Sequence, residues 1–451
     1  MSKTYRPYSP TQSLLLPQSP LEWLPEGHLA FFILDVVAEL DLSPIHAHYE
    51  RELRGKPPHD PQMMLALLFY GYCVGVPSSR KIERKTHEDV AFRVLSAGQH
   101  PDHTRISEFR RIHGPVLNGL FLEVLTISMR AGLASLGHLV LDGTKEKANA
   151  SKHKAMSYGR MKEKELLLKQ KVKDLLCAAE EADQAEDAKY GKERRGEELP
   201  EDLRIAKTRL AKIRKLRAEL EAEAVEQEKE RASKGDGDEP PSGPSADLPE
   251  HQIPTENDGS PTRKAQRNFT DPESRIQKTG DGFIQGFNAQ IVVDEDTQII
   301  VAQAVTNQPP DVEHLAPLLL QAIGNCGAPP EKFTADAGYF SEANVAFCEG
   351  LGVDPYIATG RTKEDGPSEC PQGRPPGGQT LKQQMDRKLR TKAGKAVYAK
   401  RKQVVEPVFG QVKGARGFRQ FLRRGLVKVR EEWALICLTH NLLKIHRWAA
   451  G

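Results

Sequence analysis

The sequence lacks the marks of several protein classes. No two of its six cysteines form a C-x-x-C pair, so neither a zinc ribbon nor a disulfide framework is expected and reduced thiols are predicted. It has no run of about 18 apolar residues, which predicts that no helix crosses a membrane. Residues 1–20 are rich in Pro and Ser and hold no apolar signal core. These absences predict a cytoplasmic chain.

Motifs of several common enzyme classes are also missing. There is no G-x-x-x-x-G-K-[ST] loop, which argues against an ATPase, and no G-x-S-x-G turn, which argues against an α/β-hydrolase. The 14 histidines do not form H-E-x-x-H, the zinc motif of many metalloproteases. Chemistry, if present, must therefore come from other residue types.

Charge is present, and it is unevenly distributed. The net charge of the 451 residues is only +3. Residues 381–451 hold 18 Lys and Arg against four acids, a balance of +14, so the remaining chain carries −11. This asymmetry indicates a face built for a polyanion, although a solvated basic surface would give the same count.

The pattern of residues 1–132 predicts a helical N-terminal domain. Residues 28–40 and 61–76 are apolar runs, and the second begins with Asp60 as a predicted N-cap and Pro61 in the first turn. Short basic helices are predicted at 78–87 and 104–113. A helix-turn-helix-like DNA-binding module and a plain helical bundle both fit.

Strand patterns predict a mixed α/β core interrupted by an insertion. Strands are expected at 138–142, 283–294, 298–305, 332–335 and 354–358, with helices between the later ones. We therefore assign the core to residues 133–160, which hold the first strand, and 276–451, which end in basic helices.

The insertion has two parts with different composition. Residues 161–233 carry two apolar stripes of period 3.5, interrupted by Glu165 and Arg217, which predict an antiparallel coiled-coil hairpin that projects from the core; a single solvated helix is the alternative. Residues 234–275 are rich in Gly, Pro, Ser and Asp and predict a flexible linker. Deletion of residues 162–250 is then expected to leave a core that folds.

Three carboxylates stand out by position. Asp142 and Asp336 each end an apolar strand, where open α/β sheets bind ligands, and Glu406 lies in a cationic helical segment. Carboxylate oxygens suit Mg²⁺ or Mn²⁺, and two such ions can hold the attacking and leaving oxygens of a phosphoryl displacement. The three acids are therefore predicted to form one metal site.

Five ordered segments resemble bacterial insertion-sequence DDE transposases of the IS four/five superfamily type. They read DGTKEKANAS, GFNAQIVVDEDTQIIVAQAVTNQPPDVEHL, FTADAGYFSEAN, CEGLGVDPYIATGR and YAKRKQVVEPVFGQVKGARGFRQFLRRG. The N-terminal segments PPHDPQMMLALLFYGYCVGVPSSRKIE and TRISEFRRIH are similar to the helical domain of the same group. The resemblance implies an RNase H-like core in which the first and fourth strands are neighbours.

The resemblance also implies roles for single residues. Asp142, Asp336 and Glu406 match the catalytic, metal-binding acids of the family. The family's Tyr-Arg-Glu-Lys signature matches Tyr398, Glu406 and Lys413, but its Arg falls one residue out of place, so either Arg401 or Lys402 could fill it. Lys413 is then expected to contact a phosphate of the element end.

Further DNA contacts are expected in the segment GFRQFLRRG, read as about two helical turns. These contacts are Arg416, Arg419, Arg423 and Arg424.

The function implied is that of a DNA transposase. It would bind terminal inverted repeats and carry out metal-dependent strand cleavage and strand transfer, as a homodimer or larger assembly at the nucleoid, with two Mg²⁺ or Mn²⁺ ions. An RNase H-like nuclease without integration, a catalytically inactive DNA-binding descendant and a coiled-coil assembly protein are the alternatives.

Overall fold

The protein is described by a computed structural model. The structure describes residues 19–51, 57–134, 136–190, 201–234, 247–280, 282–360, 370–371, 373 and 376–450. By its internal contacts the chain divides into two compact units, Met1–Val116 with Ile445–Gly451, and Leu117–Lys444. The division falls earlier than the predicted domain border at residue 132.

The first unit is helical, as predicted. Its elements are α1 Leu29–Glu39, α2 Ser43–Tyr49, α3 Pro61–Cys73, α4 Ser79–Glu88, α5 Val90–Leu95 and α6 His103–Ile112; α7, Gly114–Arg130, begins at its border. The Asp60 side chain caps α3 by accepting from the N–H of Gln62 at 2.7 Å, which confirms the predicted start. All residues of α3 except Gln62 are buried, so this helix forms the centre of the unit.

A mixed sheet forms the core of the second unit. Its strands are β1 His138–Lys147, β4 Arg275–Thr279, β5 Gly282–Asp294, β6 Ile300–Thr306, β7 Lys332–Ala335 and β8 Asp354–Ile357; β2 Ala155–Ser157 and β3 Gln266–Asn268 pair separately. β5 lies antiparallel to β1, β4 and β6, whereas β7 is parallel to both β1 and β8. The first and fourth predicted strands, β1 and β7, are therefore neighbours, and the mixed α/β, RNase H-like fold class is confirmed.

Helices cover this sheet and extend from it. They are α8 Tyr158–Tyr190, α9 Glu201–Lys234, α10 Leu315–Cys326, α11 Glu342–Gly350, α12 Leu381–Arg390, α13 Lys392–Phe409 and α14 Leu426–Ala450. α13 continues into a π-helical turn at Gly410–Ala415. Because this helix packs over β1, β5, β7 and β8, it brings the C-terminal cations to the sheet.

α8 and α9 pack antiparallel, in the arrangement predicted for the insertion. Met161 of α8 meets Ile213 and Leu216 of α9, whereas the earlier Tyr158 meets the later Leu220. The two polar residues in the predicted stripes contact each other, because buried Glu165 accepts a hydrogen bond from Arg217. The side chains of Ala179, Ala182 and Leu203 and the turn at 191–200 lie outside the described residues, and the coiled-coil period stays a prediction.

The predicted linker is wrong from residue 247 onward; residues 235–246 lie outside the described ones. Ile253 and Ala265 pack against the base of α9, and Glu223 of α9 pairs with the buried Arg267 and Arg275. A few apolar residues and two buried ion pairs hold this segment in place. Composition alone does not reveal these contacts. Deletion of residues 162–250 would therefore leave two buried arginines without Glu223, so the expectation of an undisturbed core no longer holds.

The described residues contain no single helix long and apolar enough to cross a membrane. One pair joined by a sharp bend, His103–Ile112 with Gly114–Arg130, reaches the required length and hydropathy only when the two are taken together.

Candidate active site at the carboxyl edge of the sheet

The register of two parallel strands places Asp142 beside Asp336. Val140 of β1 is paired with Thr334 of β7, and two residues further along each chain lie the two aspartates. Neighbouring strands are about 4.8 Å apart, so the two carboxylates lie close together. This is the juxtaposition that the sequence predicted for them. The prediction that Asp142 ends its strand is wrong, because β1 stays paired with β5 as far as Lys147, whereas Asp336 does follow the end of β7.

Asp142 is largely buried, with 20% of its side chain exposed. Burial is the largest cause that raises the pKa of Asp142 to about 6, against the opposing charge of Arg401 and the N–H of Gly143. The neighbouring carboxylates Asp336 and Asp311 add to the rise in pKa. Any positive charge added beside a carboxyl group in these surroundings stabilises its ionised form.

Asp336 is fixed by the turn that follows β7. Its side chain accepts a hydrogen bond from the N–H of Gly338 at 2.9 Å. A Cβ atom at position 338 would lie 3.0 Å from Oδ1 of Asp336 and 3.4 Å from Oδ2 of Asp311. The glycine thus leaves open a space that both carboxylates border.

Asp311 is an acid of this edge that sequence reasoning missed. Its Oδ1 accepts hydrogen bonds from the Lys145 ammonium at 2.9 Å, the Asn288 amide at 2.7 Å and the Gln290 amide at 2.9 Å. Its Oδ2 is the atom that faces Gly338. One oxygen is therefore saturated by donors while the other borders the open space.

A buried tyrosine completes this polar network. The Tyr339 hydroxyl donates to Oε1 of Gln290, whose amide in turn donates to Asp311. Asn288 and Gln290 are fully buried in β5, at alternate positions that share a face. Two buried amides on one strand face were the sequence signal that could have pointed to a site here.

Arg401, and not Lys402, reaches Asp142. Its guanidinium donates to Oδ2 of Asp142 at 2.8 Å and lies 5.8 Å from the ring centre of Tyr398. Lys402 is exposed to solvent. Because successive helical residues differ by about 100°, only one of the two can face β1, and the one-residue departure in spacing does not displace the arginine.

Glu406 is exposed on α13, five residues after Arg401. At about 1.5 Å per residue it lies about 7.5 Å further along the helix axis than the arginine that touches Asp142. Pro407 is inside the helix, and the backbone opens into the π-helical turn three residues later. Within the described part of the chain, no three acids, histidines or cysteines converge into a preformed cation cage. Assignment of Glu406 to one site with the two aspartates stays a prediction.

Lys413, in the π-helical turn, contacts β1 further along the strand than Asp142. Its ammonium donates to Oγ1 of Thr144 at 2.6 Å and pairs with Oε1 of the buried Glu146 at 2.8 Å. Burial raises the pKa of Glu146, and Lys413 opposes this rise. Asp142, Thr144 and Glu146 alternate along β1, so one strand face is lined by cations from α13 and the π-helical turn.

The segment predicted to hold further DNA contacts is not helical, because residues 416–425 form an irregular connection. Arg416 is buried and donates to the Ile436 carbonyl at 3.1 Å, which removes it from any DNA surface in this conformation. Arg423 is nearly buried and pairs with Glu431. Arg419 and Arg424 are exposed, and Arg424 donates to the Asn149 carbonyl at 2.9 Å.

The donor chemistry at this edge fits a divalent cation. Oδ1 of Asp336 and Oδ2 of Asp311 border the space beside Gly338, and Arg401 supplies a compensating positive charge to the neighbouring Asp142. Carboxylate oxygens are the ligands that Mg²⁺ and Mn²⁺ prefer. A raised pKa, such as burial gives to Asp142, is typical of carboxyl groups at functional sites. This arrangement suits polynucleotide phosphoryl transfer.

Comparison with known proteins gives the family of the chain. A family model described as a transposase DDE domain matches residues 253–442, and one described as a transposase domain (DUF772) matches residues 18–111. Together they span more than half of the chain, which belongs to the bacterial insertion-sequence DDE transposases. Asp336 and Glu406 lie within the first match, whereas Asp142 precedes it because the insertion separates β1 from the rest of the core. Neither a curated protein nor a solved structure matches the chain.

Proposed function

We propose that this transposase binds the terminal inverted repeats of its own insertion sequence, cleaves them in a metal-dependent reaction and joins the freed 3′ ends to target DNA. The observation that carries the proposal is the placement of Asp142 and Asp336 at one edge of adjacent parallel strands, under Arg401 of α13. The chain would act at the nucleoid, in the cytoplasm, as a homodimer or larger assembly.

Asp142, Asp336 and Glu406 are the proposed metal-binding residues. Two bound Mg²⁺ or Mn²⁺ ions would supply charge neutralisation and nucleophile activation at the scissile phosphate. Asp311 lies against the same space, with its first oxygen already occupied by Lys145, Asn288 and Gln290. It would hold the second oxygen in a fixed direction beside Asp336.

The cations of α13 would position the DNA strand. Arg401 pairs with Asp142 in the structure, and a phosphate near the site would compete for the same guanidinium. Tyr398 lies beside this arginine, and Lys402 and Lys413 flank it on the surface and toward the end of β1. Arg419 and Arg424 are exposed cations next along the chain and the remaining candidates for phosphate contact.

The test is strand cleavage by the full-length chain on a duplex that carries the repeat found beside its gene. We expect nicks with 3′ hydroxyl ends in Mg²⁺ or Mn²⁺, loss of cleavage by about 1000-fold or more in Asp142→Asn and Asp336→Asn, and unchanged DNA binding. Glu406→Gln should behave in the same way. Full cleavage by the Glu406 variant would remove that residue from the site.

Two further readouts separate the alternatives. Calorimetric titration with Mn²⁺ should reveal binding that weakens in the Asp336 variant, independently of any activity. A supercoiled plasmid added as target should acquire the labelled end by strand transfer. Cleavage without transfer would identify a nuclease, and binding without cleavage would identify an inactive DNA-binding descendant.

A further inference from the structure

A groove lies along the α8–α9 hairpin, away from the catalytic acids. It has a volume of about 1000 Å³ and is bounded by α8, α9, β2 and residues 269–272, all within the second unit. The acids, arginine and amides of the catalytic edge do not line it. Its walls therefore have no role in the site already described.

The polar lining of this groove is almost wholly cationic. Glu219 is the acid in the lining, and it is 3.9 Å from the ammonium of Lys215. The lysines and arginine of this lining, named here the groove cations, are Lys154, Lys164, Arg209, Lys212 and Lys215, and His153 lies beside them.

Most groove cations are exposed and lack an acidic partner. Among the described residues, no ion pair joins Lys164, Arg209 or Lys212 to a carboxylate. Arg209, Lys212 and Lys215 follow at every third position of α9, so they form a row with a spacing of about 4.5 Å along the helix axis. DNA carries one phosphate per about 3.4 Å of axis on each strand, a comparable density of opposite charge.

The floor of the groove is apolar. Leu168, Ile213, Leu216 and Phe269 form part of one cluster with Met161, and Leu167 is 70% exposed at its side. Such a floor carries the aliphatic stems of lysine and arginine while their charged ends reach outward. The cations are thus held in a row without being neutralised by the protein.

The second half of α9 has the opposite character. A separate pocket there is lined mainly by carboxylates, among them Glu223, Glu226, Glu230, Glu250 and Glu313. The charge of the insertion is therefore divided along one helix, basic in the first half and acidic in the second. A polyanion would be attracted to the groove and repelled from the base of the hairpin.

The groove is close in the chain to the strand that carries Asp142. Lys154 follows the end of β1 by seven residues, a distance of at most about 25 Å. The chain between them is bound by exposed Arg424, which donates to the Asn149 carbonyl at 2.9 Å. Asp142 itself lies twelve residues before Lys154, at most about 42 Å along the chain, and a DNA segment would cover that distance in about 12 base pairs at about 3.4 Å each.

We propose that the groove binds the phosphodiester backbone of the substrate DNA, beyond the base pairs at the catalytic edge. The inference rests on the proposed function, since it assumes that the chain engages DNA. It gives the insertion a purpose in substrate binding: the hairpin holds the flank of the DNA while the acids act at the scissile phosphate. Contacts of this type add affinity without reading sequence.

The test compares two triple variants of the full-length chain with equal loss of charge. The groove variant is Lys164→Gln, Arg209→Gln and Lys212→Gln. The control is Lys171→Gln, Lys173→Gln and Lys207→Gln, which removes exposed cations of the same hairpin that do not line the groove. Binding to a repeat-end duplex is measured without divalent metal between about 50 and 200 mM salt.

We expect the groove variant to lose about 2 to 3 units of the slope of log affinity against log salt, and at least about tenfold in affinity at about 0.1 M salt. The control should lose little slope, and circular dichroism should show both folded. Equal losses in the two variants would overturn the groove proposal and leave the function intact, whereas an unsubstituted chain that binds no DNA would overturn both. A change in self-association by sedimentation, without a change in DNA binding, would identify a second copy as the occupant.

Discussion

The cations at the catalytic edge and those in the hairpin groove differ in what surrounds them. Arg401, Lys413 and Arg423 each pair with an acid, and Arg416 is buried against α14; we call these the inner cations. The groove cations face solvent along an apolar floor. Composition alone favours the C-terminal segment, with its balance of +14, as the DNA surface.

A count of Lys and Arg in one segment therefore overestimates how many of them can contact DNA when some have partners inside the fold. A buried arginine such as Arg416 keeps its charge but cannot reach a phosphate, and its hydrogen bonds to a carbonyl stabilise the protein. A lysine without a partner releases counterions when DNA binds. Substitution of Arg416 or Arg423 should therefore act on stability, and substitution of the groove cations should act on DNA binding.

The largest effect is expected at Arg416. Replacement by Gln would remove the buried guanidinium that donates to the Ile436 carbonyl and to the Thr439 hydroxyl. We expect a loss of about 3 kcal/mol in the free energy of unfolding, measured by urea denaturation. Arg419→Gln, at an exposed position three residues on, is the matched control and should change stability by less than about 0.5 kcal/mol. If the two variants are equally stable, burial of Arg416 does not contribute to the stability of the protein.

The sequence was sufficient for the parts of the site that regular geometry determines. Asp142 and Asp336 were found because each ends an apolar run of the sequence, and parallel pairing of β1 with β7 brings them close together. The choice between Arg401 and Lys402 could not be made, since it depends on the rotation of α13 against β1. The inside position of Arg416 depends in the same way on contacts between distant segments.

For a related reason, neither the role of Asp311 nor the order of the segment after residue 247 could be predicted from the sequence. Asp311 precedes α10 in a Pro-rich turn, and only its hydrogen bonds to β1 and β5 bring it to the site. The segment after 247 holds few apolar residues and is fixed instead by ion pairs such as Arg275–Glu223. Tertiary pairing of polar residues leaves no periodic signal in the sequence.

The next prediction concerns the inner pair Arg401–Asp142. Unfolded, Asp142 releases its proton near pH 4; folded, its pKa is about 6, so the folded state binds more protons in between. The free energy of unfolding of the metal-free chain should therefore fall, from this group, by about 2 kcal/mol as the pH rises from about 4 to 7. In Asp142→Asn this loss should be absent.

Urea denaturation of both chains across that pH range checks this. The difference in stability, variant minus wild type, should rise with pH and level off above about pH 7. A difference that stays constant would mean that Arg401 keeps Asp142 ionised throughout this pH range. The charge of Arg401 would then outweigh the effect of burial on the pKa of Asp142.

A smaller effect is expected within the hairpin, where the ion pair between Glu165 and Arg217 lies beside the groove. Glu165 is buried and accepts hydrogen bonds from Arg214 and Arg217. Leucine at both Glu165 and Arg217 would extend the apolar stripe, and we expect the double variant to be about 1 kcal/mol more stable than the wild type. Thermal melts of the full chain measure this. Glu165→Leu alone should be destabilising, and a stabilised single variant would show that the pair has no net value.

The smallest effect is expected at Arg424, which lies between the two sets of cations. It is exposed and its guanidinium donates to the Asn149 carbonyl, a bond that water can replace. Arg424→Gln should leave stability within about 0.5 kcal/mol and lower DNA affinity about two- to threefold, with a loss of about one unit of salt slope. Fluorescence anisotropy with a repeat-end duplex checks both quantities. Arg423→Gln is the adjacent control, since Arg423 is nearly buried against Glu431 and its loss should lower stability instead of salt slope. If the two variants exchange these effects, position inside or outside the fold does not decide what a cation does in this protein.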